Sequence, residues 1–357
     1  LSEDLGGKVK WLREPWDDYT FGKRQFDQAF VDQINGSDGL IVGGAVTFNG
    51  RDYNNETGSR FELPFDLWHL VRKPVIFYGL SYRHWEGQTY HHLDRLKEMI
   101  ERILESPNMI LSVRNDGTRN WLSNMTGVYS DEILEVPDSA VFVQTTKSDF
   151  PAKFDAGKKN IMLSFNDEDS SFRFAGTASE SRDLREYTVE QYVAAIEQIA
   201  DTYDAHFILV PHYFDDYQMI ADFMKRIRPQ IGHQRTTSTG LSRIKDTATF
   251  YEQYRQADAA VSMRVHSMSP CVGLATPMTA FITQNRMANF MNGVGLNDVV
   301  VDAFATNAGE SLRQKIAESL EKPDDLRLKY RAVRSRLRAE AKEFHSKIQS
   351  LILSVGN

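Results

Sequence analysis

The sequence predicts an α/β protein of two domains, and three observations lead there. At 357 residues the chain is long enough for two cores of ordinary size, since domains take about 100 to 200 residues each. Short apolar runs alternate with longer amphipathic ones, the pattern of a parallel sheet flanked by helices. That alternation occurs twice, on either side of a stretch from Pro137 to Lys159 that carries Pro137, Pro151 and Gly157 and has no long period. The expected organisation is a first domain over residues 1–150, a second over 151–325, and a closing helix over 326–357.

In the first half, Gly39 to Val42, Pro74 to Tyr78 and Met109 to Val113 read as strands. Between the last two, His92 to Glu105 sets Leu93, Leu96, Ile100, Ile103 and Leu104 on one helix face. The second half restarts with Ile161 to Phe165 as a buried strand. Thr188, followed three residues later by Gln191, has the form of a capping box, and Val189, Tyr192, Val193, Ile196 and Ala200 make the apolar stripe of the helix it predicts. A strand from His206 to Pro211 follows, then a helix from about Tyr217 to Ile227, a polar stretch from Pro229 to Gly240, a helix from Thr247 to Ala257, and a strand from Ala259 to Met263. Near the end, Leu326, Tyr330, Val333, Leu337, Ala341, Phe344, Ile348 and Leu351 recur every three or four residues. The outer face of that helix, with Arg327, Arg331, Arg334, Arg336, Arg338 and Lys342, reads as a solvated face balanced by Glu340 and Glu343. Peripheral contact with anionic lipid is the alternative.

Composition narrows the function classes. Hydrophobic residues at 41% and charged residues at 25% belong to a packed globular chain rather than a disordered or fibrous one. A net charge of -7 argues against a surface dedicated to nucleic acid, which needs clustered cations, so an anionic ligand must be held by a local site. No apolar run approaches the roughly 18 residues that cross a bilayer. The single cysteine, Cys271, precludes an internal disulfide and suits a reducing compartment. A cytoplasmic location is expected, and three sequons at Asn35, Asn55 and Asn124 keep a secretory-pathway lumen with a lost anchor as the alternative. Residue 1 is Leu and the next residues have no apolar core of a signal peptide, so the natural start is expected to be missing.

Chemistry concentrates in one segment. Ala259 to Ser267 reads AAVSMRVHS, a buried strand that runs out into Arg264, Val265, His266 and Ser267 before a helix resumes at Pro270. In open α/β sheets ligands sit at the carboxyl ends of strands, where helix N-termini favour anions. Arginine offers a fixed cationic fork for carboxylate or phosphate, and histidine exchanges a proton near neutrality. The residues alone also admit a structural reading, with Arg264 paired to a carboxylate such as Asp258 and His266 capping the helix. No metal or cofactor is expected. The nine histidines lack a spacing such as H-E-x-x-H, Asp215-Asp216 is a poor ligand set, and His84, His91 and His92 read as a surface loop.

Past this segment come Gly273-Leu274-Ala275-Thr276-Pro277, a strand from Met278 to Ile282, then Gln284-Asn285-Arg286, Phe290 and Gly293 to Leu296. The whole block resembles the polysaccharide pyruvyl transferase family. Ile41-Val42-Gly43-Gly44 with Phe48, Ser112-Val113-Arg114-Asn115-Asp116, Val136-Pro137-Asp138, and Val210-Pro211-His212 with Asp215 or Asp216 resemble further family segments, so the likeness runs from about Gly39 to Leu296. The sequence departs from the family pattern in lacking its opening glycine-rich turn, in Val265 where Leu is usual, and in Arg286 where Lys is common.

The resemblance implies a GT-B-like fold with two Rossmann-like domains facing a cleft. It implies transfer of the enolpyruvyl group of phosphoenolpyruvate to two hydroxyls of a sugar residue, on a glycan or lipid-linked oligosaccharide, to form a cyclic ketal and release phosphate. On that basis Arg264, His266, Ser267 and Arg286 would bind phosphoenolpyruvate, with His266 and Arg264 catalytic. Gly43, Gly44, Arg114 and His212 would lie on the acceptor side, Arg114 having an ion pair with Asp116 as its structural alternative. A nucleotide-sugar glycosyltransferase of the same fold and a non-catalytic glycan-binding protein are the competing functions.

Overall fold

The computed structural model describes residues 1–6, 9–44, 46–49, 53–147, 154–175, 182–241 and 247–355. It divides into two compact units, Leu1–Asp138 together with Leu337–Asn357, and Ser139–Arg336.

In the first unit, strands β1 (Leu40–Gly43), β2 (Val46–Asn49), β3 (Val75–Arg83), β4 (Met109–Arg114) and β5 (Leu134–Val136) form one parallel sheet. The order is β1-β3-β4-β5, and β2 pairs with the far end of β3. The two-residue period of a strand sorts the side chains. Val42, Val75, Phe77, Leu111 and Val113 face a core closed by Phe30, Val31 and Ile34 of the helix Gln28–Asn35 and by Leu96, Met99, Ile100 and Ile103 of the helix Leu93–Glu105. Ile41, Ile76, Tyr78, Ile110 and Val136 form a second cluster with Phe344 and Ile348. The strands expected at Gly39, Pro74 and Met109 are thus β1, β3 and β4, and the helix expected from His92 is Leu93–Glu105. Strands β2 and β5 are four and three residues long, too short to show a period.

The second unit holds β6 (Lys159–Ser164), β7 (Ala205–Val210), β8 (Thr236–Ser238), β9 (Ala259–Ser262), β10 (Met278–Ile282) and β11 (Val300–Asp302), all parallel, in the order β11-β10-β9-β6-β7-β8. The chain starts at the centre with β6, winds outward through β7 and β8, returns to the other side of β6 and winds outward again. This is the doubly wound Rossmann order, and its switch point lies between β6 and β9. Ile161, Leu163 and Phe165 pack against the helix Leu184–Thr202 and against Leu312, Ile316 and Leu320 of the helix Ala308–Glu321.

Several expectations need correction here. The first long helix of this unit begins at Leu184, not Thr188: Asp183 caps it by accepting from the Glu186 amide. Thr188 sits in its second turn and donates to the Leu184 carbonyl (2.7 Å), while Gln191 reaches the Gly309 amide (3.0 Å). The polar stretch Pro229–Gly240 folds into a short helix, Pro229–Gln234, and the edge strand β8, which polar residues build at a sheet margin. Of the stretch Pro137 to Lys159, residues 148–153, including Pro151, lie outside the described residues. Its start belongs to the second unit from Ser139 onward, because the single turn Ser139–Phe142 packs on the helix Val265–Leu274. A Cβ on Gly273 would run into the Val141 carbonyl, which explains that glycine without a ligand. The closing helix spans Pro323–Val355. Tyr330 is buried in the second unit, whereas Leu337 onward is counted with the first.

The first unit carries one buried polar chain. The Nδ1 of His345 lies 2.5 Å from one Asp4 carboxylate oxygen, the other oxygen takes Arg338 at 3.0 Å, and the Tyr78 hydroxyl is 2.8 Å from Nε2. A carboxylate can only accept, so Nδ1 carries the proton and Tyr78 donates to Nε2. Burial pushes the imidazole below its ordinary 6.5, with the Asp4 bond opposing. The bond from His345 draws the Asp4 carboxyl below its ordinary 3.8, and burial raises the Tyr78 hydroxyl to about 12. Both lowered groups contribute stability that is complete above their unfolded values and lost as pH falls through the folded ones. The melting temperature should therefore decline as the pH drops below about 6.5, and His345→Gln should flatten the upper part of that decline. Thermal melts between roughly pH 7 and pH 4 test this, and identical slopes for both proteins would refute it.

Candidate active site

The carboxyl ends of β6, β7 and β9 meet at the switch point of the second unit. Each runs into a polar segment: Asn166-Asp167-Glu168 after β6, His212 to Asp216 after β7, and Arg264 after β9. The Asp216 carboxylate is fully buried and holds all three. One oxygen accepts from the Asp167 amide (3.2 Å) and from Arg264 Nη2, and the other from the amides of His212 (2.8 Å) and Tyr213 (2.9 Å). Arg264 also donates through Nη1 to Glu168 (3.0 Å) and through Nε to the Phe165 carbonyl (3.3 Å), and its guanidinium lies 4.7 Å over the Tyr213 ring. Its carboxylate partners are thus Asp216 and Glu168. Asp258, the partner suggested by proximity in sequence, instead accepts from the Asn160 amide at the opposite end of the sheet (2.8 Å).

Arg264 is extended and immediately precedes the helix Val265–Leu274, which places His266 in the first turn, exposed. Pro270 has no amide to give the carbonyl four residues back, and that carbonyl is His266's. The Tyr251 hydroxyl supplies the missing donor at 2.9 Å, which fixes the backbone beneath the imidazole. Ser267 is buried: its hydroxyl donates to the Arg264 carbonyl (2.9 Å) and accepts from Ser164 (3.3 Å), so it shapes the turn. Arg286 stands in the first turn of the helix Asn285–Val294, beyond β10. Two helix N-termini, favourable to anions, thus open on this side of the sheet.

Arg173, which the sequence reading passed over, is the third cation. It is buried, with Nε donating to the Glu168 carbonyl (3.1 Å) and Nη1 to Thr283 (3.2 Å). Burial first, and then the like charge of Arg264, bring its guanidinium down to about 9; Glu168 opposes and Arg286 adds to the repulsion. Arg173 still keeps its proton at neutral pH. The signal for it was faint: a polar run directly after a buried strand, with the arginine a few residues on.

His212, an acceptor-side candidate, lies in the second unit, after β7. It is half-buried, its Nε2 2.7 Å from the Tyr254 hydroxyl. Burial, Arg264 and His266 hold its imidazole well below 6.5, hence neutral. Asn166 donates to the Met263 carbonyl (2.9 Å), while its own buried carbonyl oxygen has no hydrogen-bond partner among the described residues. A buried acceptor left without a donor is costly, so a donor brought to it would be favoured. No group of three or more histidine, cysteine or acidic residues able to hold a metal occurs among the described residues. The arrangement suits a multiply charged anion beside a titratable imidazole.

The remaining candidates lie in the first unit. Gly44 has a φ of 53°, a conformation natural to glycine, and its carbonyl accepts from Arg114 Nη2 (2.9 Å). Gly43 has open space around it. Arg114 is buried and pairs with Asp138 (3.1 Å), not with Asp116, whose carboxylate takes Ser81 (2.7 Å) and Thr118. His84, expected in a surface loop, is half-buried, with Nε2 2.6 Å from the Gln88 carbonyl and Nδ1 taking the Trp121 indole (3.4 Å).

Comparison with known proteins bears on this geometry. The family model described as polysaccharide pyruvyl transferase matches residues 7–285. The chain belongs to that family. The match takes in the transferase's Arg264, His266 and Ser267, and ends just short of Arg286. No curated protein matches it. Among solved structures, the transferase is similar to a UDP-GlcNAc 2-epimerase from Neisseria meningitidis, with a TM-score of 0.47, 10% identity, and 90% of this chain and 78% of the other covered. It is also similar to an alpha,alpha-trehalose-phosphate synthase (UDP-forming) from Burkholderia vietnamiensis, with a TM-score of 0.47, 11% identity, and coverage of 80% and 68%.

Removing one partner of a buried ion pair strands the other charge, a loss of about 3 to 5 kcal/mol. Arg114→Ala should therefore destabilise the first unit by about that amount, and Arg114→Lys, which lacks the fork that reaches both Asp138 and Gly44, should recover only part of it. Urea denaturation measures both, and an Arg114→Ala protein as stable as wild type would mean that the Asp138 pair contributes nothing.

Proposed function

We propose that this transferase moves the enolpyruvyl group of phosphoenolpyruvate onto two hydroxyls of one sugar residue, leaving a cyclic pyruvate ketal and free phosphate. The observation that carries the reading is the gathering of Arg173, Arg264 and Arg286, with the exposed His266, beyond the carboxyl ends of the neighbouring strands β6, β9 and β10. Three guanidinium groups confined near each other call for an anion of more than one charge. Phosphoenolpyruvate carries both a phosphate and a carboxylate, and charge-assisted bidentate bonds suit both.

The chemistry then needs one titratable group. Protonation of C3 converts the enol carbon C2 into an electrophile, and one sugar hydroxyl adds to it. The C2–O bond to phosphate breaks, and the second hydroxyl closes the ring on C2. Of the two hydroxyl protons, one balances the proton gained by C3 and the other leaves with phosphate. Exposed and beside the cations, His266 is the residue suited to exchange these protons. Arg264 and Arg286 would hold the donor's charges, which also stabilises negative charge growing on the departing phosphate. Arg173 would reinforce them from behind.

Incubation with phosphoenolpyruvate and a panel of galactose, glucose, mannose and N-acetylmannosamine acceptors should release phosphate and add mass to an acceptor. Phosphoenolpyruvate that fails to bind, while a nucleoside diphosphate protects the protein against thermal unfolding, would favour a nucleotide-sugar glycosyltransferase. Among variants, His266→Ala should retain most donor binding and lose about 10²- to 10⁴-fold in kcat. Arg264→Ala should lose donor affinity by about 1.5 to 3 kcal/mol or more, since it also strands Asp216 and Glu168. Arg286→Lys should stay active because the charge is kept. A His266→Ala enzyme with near-normal turnover would remove the imidazole from the mechanism.

A further inference from the structure

Among the described residues most large apolar side chains of the second unit are buried, and apart from Leu328 on the closing helix the exposed ones fall in two segments. Phe172 is exposed in the segment after β6, and Tyr213, Phe214 and Tyr217 are exposed after β7, Phe214 to 80%. Strands β6 and β7 pair from Lys159↔Ala205 to Ser164↔Val210, so the two segments leave one end of the sheet side by side. This is the end that carries the cations. Phe172 directly precedes Arg173, and the guanidinium of Arg264 covers the Tyr213 ring.

Hydrogen bonds to a buried carboxylate fix part of the backbone beneath these rings. Asp216 accepts from the amides of both His212 and Tyr213, which fixes the backbone that presents Tyr213 and Phe214. Tyr217 sits in the first turn of the helix Asp216–Arg226. An apolar patch on a rigid loop, rimmed by polar groups, marks a binding surface. Its composition indicates the ligand. No exposed large aliphatic side chain belongs to it, as a docked apolar helix would favour; it consists of aromatic faces with two phenol hydroxyls and the exposed Asp215 carboxylate among them. A pyranose has a matching surface, a face of C–H bonds for the ring and an edge of hydroxyls for the phenols and the carboxylate.

We infer that Phe172, Tyr213, Phe214 and Tyr217 form a sugar-binding platform on the second unit, which seats the pyranose ring of the acceptor glycan next to the arginine cluster. The inference rests on the function proposed above and deepens it. It moves acceptor recognition, at least in part, to the unit that holds the donor cations.

The test separates the two. Binding of the methyl glycosides of galactose, glucose, mannose and N-acetylmannosamine to the full chain is followed by saturation-transfer-difference NMR, and phosphoenolpyruvate binding to the same samples by calorimetry. Wild type should transfer saturation to the ring protons of at least one glycoside. Phe214→Ala and Tyr217→Ala should each weaken that glycoside roughly five- to tenfold, Phe214→Trp should preserve it, and phosphoenolpyruvate affinity should stay constant throughout. Phe214 is exposed enough that its removal leaves the core intact. Saturation of no glycoside by wild type, or equal glycoside affinity in both alanine variants and wild type, would overturn the platform. So would a parallel loss of phosphoenolpyruvate binding in Phe214→Ala, because the loop and not the ring would then carry the effect. Glycoside binding that depends on these rings in a protein that never binds phosphoenolpyruvate would uphold the platform and refute the pyruvyl reading.

Discussion

One buried carboxylate organises the second unit's ligand face. Asp216 receives four hydrogen bonds from three chain segments that are far apart in sequence, and those segments leave β6, β7 and β9 at one end of the sheet. A charge with no exposed surface is tolerable only when its lone pairs are filled. The requirement works in both directions: the loops need Asp216 to neutralise Arg264, and Asp216 needs the loop amides to be buried at all. Arg264 thereby becomes a rigid cation, oriented before any ligand arrives. Rigidity of this kind is what a site for charged reactants demands, since groups already in position need no rearrangement during the reaction.

Against that fixed frame, the gathering of three arginines stands out. Glu168 and Asp216 compensate Arg264, and Arg173 is held low first by burial and then by Arg264. Polar groups of the first unit close on one another. Arg114 is matched to Asp138 and to the Gly44 carbonyl, and His345 has both ring nitrogens occupied.

Much of this architecture was legible in the sequence where period and length were sufficient. The run Met278 to Ile282 is β10 to the residue, and Met109 to Val113 lies within β4, because buried parallel strands are uninterrupted apolar runs. The edge strand β8 and the true start at Leu184 were not legible. Polar residues at a sheet margin look like loop, and Thr188-x-x-Gln191 imitates a cap that Asp183 provides one turn earlier. At the site, Arg264 and His266 could be read from their place after a strand. Arg173 could not, since its role comes from an approach to Thr283 and Glu168 that only the fold creates. Ser267 and Gly273 have packing roles that the motif did not reveal, against Arg264's carbonyl and Val141's.

The first unit is discontinuous in the chain: Leu1–Asp138 is completed by Leu337–Asn357, with the whole of Ser139–Arg336 between them. Synthesis runs in one direction, so the sheet face of Ile41, Ile76, Tyr78 and Ile110 is made before the second unit and waits for Phe344 and Ile348, which follow it. The second unit is contiguous and has all its strands in hand before then. The second unit is thus complete in sequence before the first is, and for that interval the nascent chain carries an uncovered apolar sheet face, the kind of surface on which chaperones act and aggregation begins.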